Sequence, residues 1–267
     1  MRSKTALQGK TALITGASSG VGRQVALDLA ARGVRVMLVA RREDRLVSIQ
    51  REIENHGGEA IYHVCDLEDE NARRGLISHL LKDTPVDILI NNAGFGWYGY
   101  YADMPWEIAR DLVQVNITAM LALTRALLPG MRDRGYGHIV NIGSIVGGFP
   151  NQGVAVYAAS KAFLDAFSTA LFREMKGSGV WVSALRLGPV RTEFFERAKN
   201  LPNGRKVPAE TFSISVEKAA RGVLRLLQSP KRYLYVPAAL SVTVIIGLLF
   251  GGLIDSLGPL LLRKSGD

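Results

Sequence analysis

Short, continuous apolar runs alternate along this chain with longer amphipathic stretches, and this alternation constrains the fold more than any other feature. The runs lie at 11–15 (TALIT), 34–39 (VRVMLV), 60–65 (AIYHVC), 86–90 (VDILI), 137–142 (GHIVNI), 180–186 (VWVSALR) and 232–236 (RYLYV). Half-exposed strands would alternate apolar and polar residues. These do not, as expected when both faces of a sheet are covered. Helices are expected between them at 20–32, 42–56, 68–83, 105–134, 157–176 and 216–228. Strand–helix alternation with right-handed crossovers gives an α/β, doubly wound parallel sheet of about seven strands, with helices on both faces. At 48% hydrophobic residues, the chain can fill such a core. No Pro/Gly/Ser-rich linker divides it, so residues 1–236 read as a single nucleotide-binding catalytic domain and 237–267 as an apolar C-terminal extension. Residues 191–215 form a polar, Pro-containing stretch outside the alternation.

Two segments carry chemistry. The first is Thr15-Gly-Ala-Ser-Ser-Gly20-Val-Gly22, after the first strand and opening the first helix. Its glycines allow a tight turn, and a helix N-terminus offers unpaired N–H groups and a favourable dipole to phosphates. The second strand ends Ala40-Arg41-Arg42, with no carboxylate before Glu43. A carboxylate there would suit the ribose hydroxyls of NAD, whereas guanidinium geometry suits a 2′-phosphate, so NADP(H) is the expected cofactor.

The second segment, NIGSIVGGFPNQGVAVYAASK, holds Ser144, Tyr157 and Lys161. Tyr157 and Lys161 are four apart and share a helix face. A phenol titrates near pH 10, and an adjacent ammonium is expected to lower that value. With a hydroxyl upstream to hold a carbonyl oxygen, such a Tyr is a proton-transfer device for carbonyl and alcohol chemistry.

Together these residues resemble the short-chain dehydrogenase/reductase family, in its compact single-domain branch. The match runs through Thr15–Gly22, Asp66, Asn91-Asn92-Ala93-Gly94, Asn116, Ser144, Tyr157-x-x-x-Lys161 and Gly188-x-x-x-Thr192, in the family's order. The resemblance implies a Rossmann-type fold and an NADP(H)-dependent oxidoreductase. By it, Gly16, Ser18, Ser19, Gly20, Val21 and Gly22 surround the pyrophosphate and adenosine, beside Arg41 and Arg42. Asp66 and Leu67 lie against the adenine; Asn92, Ala93 and Gly94 line the cleft, with Asn91 as a structural brace. Lys161 binds the nicotinamide ribose, Ser144 the substrate oxygen, and Asn116 a water continuing a proton relay. Gly188, Val190 and Thr192 flank the nicotinamide. Where the family has Pro-Gly, this chain has Leu187-Gly188. The resemblance also implies a homodimer or homotetramer.

Trp97, Phe149 and Phe194 read as an aromatic substrate wall for a lipophilic ketone, aldehyde or alcohol. A 3-oxoacyl-thioester reductase and a catalytically silent NADP(H)-binding sensor at a membrane are the alternatives. The formal charge of +9 comes with no nucleic-acid-binding motif, so no nucleic-acid partner is expected. The lone Cys65 allows no internal disulfide, and the four histidines lack metal-ligand spacing. No apolar signal region opens the chain, so a cytoplasmic location is expected. Residues 238–254 carry no charge. The segment 238–262 reads as a helix-turn-helix lying peripherally on the cytoplasmic membrane face; a buried subunit contact, a pocket lid and a true span are the other readings.

Overall fold

The computed structural model describes residues 7–82, 85–243, 252, 255 and 256. Its strands are β1 (Thr11–Thr15), β2 (Arg35–Ala40), β3 (Ala60–Val64), β4 (Ile88–Asn91), β5 (Gly137–Ser144), β6 (Val180–Leu187) and β7 (Tyr233–Val236). They form one parallel sheet in the order β3-β2-β1-β4-β5-β6-β7. Strand order reverses between β1 and β4, and a cleft opens there beyond the carboxyl ends of the strands.

Helices α1 (Gly20–Ala30), α2 (Glu43–Asn55) and α8 (Val216–Gln228) cover one face; α3 (Glu70–Leu80), α5 (Met120–Asp133) and α6 (Ala155–Glu174) cover the other. Successive strand residues supply opposite cores. Ile14, Leu38 and Ile90 pack with Val25, Leu29, Leu46 and Val223, whereas Leu13, Met37 and Leu89 pack with Leu76, Leu123 and Leu127. This two-sided burial is the reason the strands read as continuous apolar runs.

Two features depart from the expected elements. The single helix expected over 105–134 is α4 (Trp106–Val113), a π-helical turn over Gln114–Ala119, and α5. Such turns gather at functional sites. This helix is long and apolar enough to cross a membrane, but it is a core helix: Leu112, Leu123 and Met131 are fully buried. The stretch 191–215 contains a further helix, α7 (Glu193–Asn200), capped by Thr192 Oγ1, which accepts from Phe194 N at 3.2 Å. Of the segment 238–262, the structure shows a short turn at Ala238–Ser241; residues 244–251, 253, 254 and 257–262 lie outside the described residues.

His138 adds an acid-sensitive group to this core. It sits in β5, in a hydrogen bond with Ser183 Oγ at 2.9 Å, and burial pushes it down to about 3. An unfolded histidine binds its proton near 6.5, so between about pH 6.5 and 3 the unfolded chain holds the extra proton and stability falls as pH drops. From pH 6.5 to 5 this one group is expected to cost about 1.6 kcal/mol. Urea denaturation at the two pH values should show that slope in wild type and lack it in His138→Asn.

Candidate active site

The phosphate loop is built by hydrogen bonds that cross between strands. Thr15 Oγ1 accepts from Asn92 N and Ala93 N, both at 3.0 Å. Asn92 Nδ2 donates to the carbonyls of Thr15 (2.9 Å) and Gly16 (3.2 Å). Gly16 turns at φ +65°, and a Cβ there would lie 2.9 Å from Ala93 Cα. Ser19 caps α1 without a side-chain hydrogen bond. The first-turn N–H groups of α1 have no intrahelical partner and lie where Gly20 and Val21 line the cleft. A turn held close by glycine, with helix-terminal donors open to a cleft, fits the phosphates of a dinucleotide.

The cleft is about 680 Å³. Gly16, Ser18, Ser19, Gly20, Val21, Arg41, Arg42, Asp66, Leu67, Asn92, Ala93 and Gly94 line it, as do Ser144, Tyr157, Lys161, Gly188, Val190 and Thr192. Trp97 and Phe194 are on its wall. Three expected residues are placed differently. Gly22 lies behind the loop, where a Cβ would meet Gly16 O at 2.4 Å, so its part is packing. Phe149 is not among the lining residues: its N–H bonds Ile145 O across the short helical turn after β5, and Ile145, Val146 and Asn151 take that wall. Asn116 sits behind the wall in the π-helical turn.

From there Asn116 ties together two of the elements around the cleft. Its Oδ1 accepts from Phe95 N at 3.1 Å, and its Nδ2 donates to Phe95 O at 3.0 Å and to Ser160 Oγ at 3.1 Å. Ser160 Oγ donates to Tyr157 O at 2.7 Å. The turn after β4 is thereby tied to α6. A separate cavity of about 10 Å³, near the size of one water, lies among Thr15, Asn116 and Lys161. Asn91 Nδ2 donates to Asn141 Oδ1 (2.8 Å) and Thr124 Oγ1 (3.2 Å), bracing β4 on β5.

Burial dominates the electrostatics of the pair on α6. It pushes the Tyr157 phenol up to about 12, and the hydrogen bond with Ser144 opposes this. The expected lowering by the Lys161 ammonium is absent from this geometry: Lys161 Nζ donates to Ile142 O at 2.8 Å and stands 5.7 Å from the centre of the phenol ring. Burial lowers Lys161 to about 8, against the pull of the Asp165 carboxylate. Tyr157 is therefore a neutral phenol at pH 7.

Tertiary structure adds residues that sequence reasoning passed over. Helix α7 brings Glu193 and Arg197 to the cleft, and the turn after β5 brings Ile145 and Val146. Arg41, read as free for a phosphate, pairs with Glu68 at 3.2 Å and Asp66 at 3.6 Å. Glu68 lies far from Arg41 in sequence, and only the β2–β3 pairing brings its loop alongside.

Residues 10–201 match the family model for short chain dehydrogenases. Over 190 residues the chain is 40% identical to a short chain dehydrogenase of Pseudocercospora fijiensis, covering 70% of this chain and 62% of that one. It is 38% identical, also over 190 residues, to a very-long-chain 3-oxoacyl-CoA reductase of Laccaria bicolor, covering 69% and 56%. The chain thus spans less than two thirds of the length of these two relatives. A short-chain dehydrogenase from Sphingobium yanoikuyae, solved in complex with NADPH, superposes with a TM-score of 0.81 at 31% identity, covering 92% of this chain and 95% of that one.

Proposed function

This chain belongs to the short-chain dehydrogenase/reductase family, and from that premise we propose that it is an NADP(H)-dependent oxidoreductase of lipophilic ketones, aldehydes or alcohols. One observation carries the reading. A half-buried, protonated Tyr157, hydrogen-bonded to Ser144, opens onto a cleft that joins an apolar wall to a phosphate loop.

Bound NADPH would supply the hydride. Gly16, Ser18, Gly20, Val21 and the α1 N-terminus would hold its phosphates, with Arg41 and Arg42 at the adenosine end. Tyr157 donates its proton to the carbonyl oxygen as negative charge develops there, and the Ser144 hydroxyl steadies that oxygen. Lys161, 5.7 Å from the centre of the ring in this geometry, would favour the phenolate left behind once the ribose of the bound cofactor draws its ammonium closer. Trp97, Phe194, Ile145 and Val146 exclude water from the apolar side.

A 3-oxoacyl thioester is a ketone on an acyl chain and falls within this class; likeness to the Laccaria reductase favours it as a second reading. Nicotinamide fluorescence titration followed by a panel of lipophilic ketones, aldehydes and 3-oxoacyl-CoA esters tests both. We expect tight NADPH binding and consumption with at least one carbonyl compound. Binding without consumption across the panel would mark a sensor instead.

Reduction should have a falling limb. Lys161 loses its charge near pH 8, so kcat is expected to be flat below that value and to drop above it. Asp165→Asn removes a charge that raises Lys161, and should move the limb to lower pH. A limb unmoved in that variant would assign it to another group.

For partners, exposed Trp106 and Val113 on α4 and Phe163 on α6 support self-association through these helices. The uncharged run after Pro237 supports membrane attachment. Sedimentation with and without lipid vesicles, for the full chain and one ending at Pro237, tests both.

A further inference from the structure

Arginines and carboxylates from three separate segments converge at the phosphate loop. We propose that Glu193 is a specificity-determining residue for the cofactor: its carboxylate occupies the guanidinium edge a 2′-phosphate would take, and a phosphorylated adenosine exchanges with it. This rests on the proposed NADP(H) reading.

Arg42 is fixed on the cleft wall rather than swinging in solvent. Its Nη2 donates to Ser18 Oγ at 3.1 Å and Ser19 Oγ at 3.0 Å, and its Nε to Ser18 Oγ at 3.3 Å. Its Nη1 pairs with Glu193 Oε2 at 2.8 Å. A guanidinium presents its N–H groups as a rigid fork, so a carboxylate on one edge stands where a phosphate would bind in the same plane. Two anions sharing that edge repel. A phosphate monoester carries more charge and more acceptor oxygens than a carboxylate, and wins the exchange. Glu193 keeps a partner when it leaves, because Arg45 Nη1 holds its Oε1 at 2.5 Å.

The exchange reaches the catalytic end through the chain itself. Glu193 opens α7 between Thr192 and Phe194. A Cβ at Gly20 would lie 2.9 Å from Thr192 Cγ2, so Thr192 rests on the phosphate loop. The Phe194 ring packs on Tyr157 with centroids 5.5 Å apart. Further along α7, Arg197 pairs with Glu68 at 3.5 Å, and Glu68 with Arg41 at 3.2 Å. Helix α7 is thus pinned to the adenosine end by the same groups that would bind the phosphate, and it carries a residue that touches the phenol.

Glu193→Gln keeps the shape and removes the charge. Titrating wild type and variant with NADPH, NADH, adenosine 2′,5′-bisphosphate and 5′-AMP reads the exchange. The variant should bind the two 2′-phosphorylated ligands about 3- to 10-fold more tightly, and the other two within about twofold of wild type. In wild type, adenosine 2′,5′-bisphosphate should speed hydrogen exchange across 193–200 and 5′-AMP should not. Normal binding of NADPH and NADH with an unchanged ratio in Glu193→Gln would overturn the inference while leaving the cofactor assignment standing. Equal weakening of all four ligands would also overturn it, by making Glu193 a brace for α7. A wild type that binds neither dinucleotide would remove the functional reading and this inference with it.

Discussion

Replacing Tyr157 with Phe is expected to lower kcat by about 10²–10⁴-fold while NADPH affinity stays near wild type. The change removes one oxygen. The ring keeps its contact with Phe194, and Ser160 still bonds the backbone carbonyl of residue 157, so α6 is not disturbed. What is lost, on the proposed function, is the delivery of a proton to a developing alkoxide. The structure makes the expectation directional. A phenol pushed up to about 12 stays protonated at neutral pH, so the acid form that reduction needs is present there, and the phenolate that oxidation needs should gain with rising pH. Steady-state kinetics in both directions, with fluorescence titration of NADPH, give the required split. Retained turnover in Tyr157→Phe would remove Tyr157 from the chemistry.

The second large effect is expected at Gly22. An alanine Cβ there would stand 2.4 Å from Gly16 O and 2.5 Å from Asn92 Nδ2. Neither neighbour can yield cheaply. Asn92 Nδ2 holds the Thr15 and Gly16 carbonyls, and these bonds define the loop. Overpacking of this kind costs roughly 1–3 kcal/mol, which in a chain of this size lowers Tm by about 2–4 °C per kcal/mol. NADPH affinity should fall at least about tenfold, because the helix-terminal donors lose their aim. Gly75 in α3 is the contrast: a Cβ there meets nothing within 4 Å. Gly75→Ala should raise stability by about 0.5–1 kcal/mol through helix propensity and leave NADPH binding alone. Thermal unfolding of both variants separates a helical glycine from one required by close approach. Equal Tm values would mean the loop relaxes around the added methyl.

The sheet was legible because burial on both faces writes a run of apolar residues with no polar interruption. Expected and observed strands share their cores at all seven positions. The family motifs also stood in order along the chain, so most cleft-lining residues could be named in advance. Phe149 could not be placed, since aromatic character does not say which way a loop side chain points. Helix α7 was hidden because its sequence, EFFERAKN, is mostly polar and offers only Phe195 and Ala198 to burial. The π-helical turn around Asn116 leaves the helical periodicity of 105–134 nearly intact, so apolar spacing could not reveal it.

Sequence by itself determined the layers and the phosphate loop, because each depends on patterning among near neighbours, and its resemblance to the family singled out Ser144, Tyr157 and Lys161. Tertiary structure alone decided the charge states and the ion pairs. Burial moved Tyr157 and Lys161 in directions that local spacing does not convey, since desolvation depends on everything packed around a group. The same is true of Arg41 and Arg42. Sequence showed two cations awaiting a phosphate; the fold brings Glu68 and Glu193 to them from distant segments, because Coulomb attraction depends on separation in space rather than along the chain.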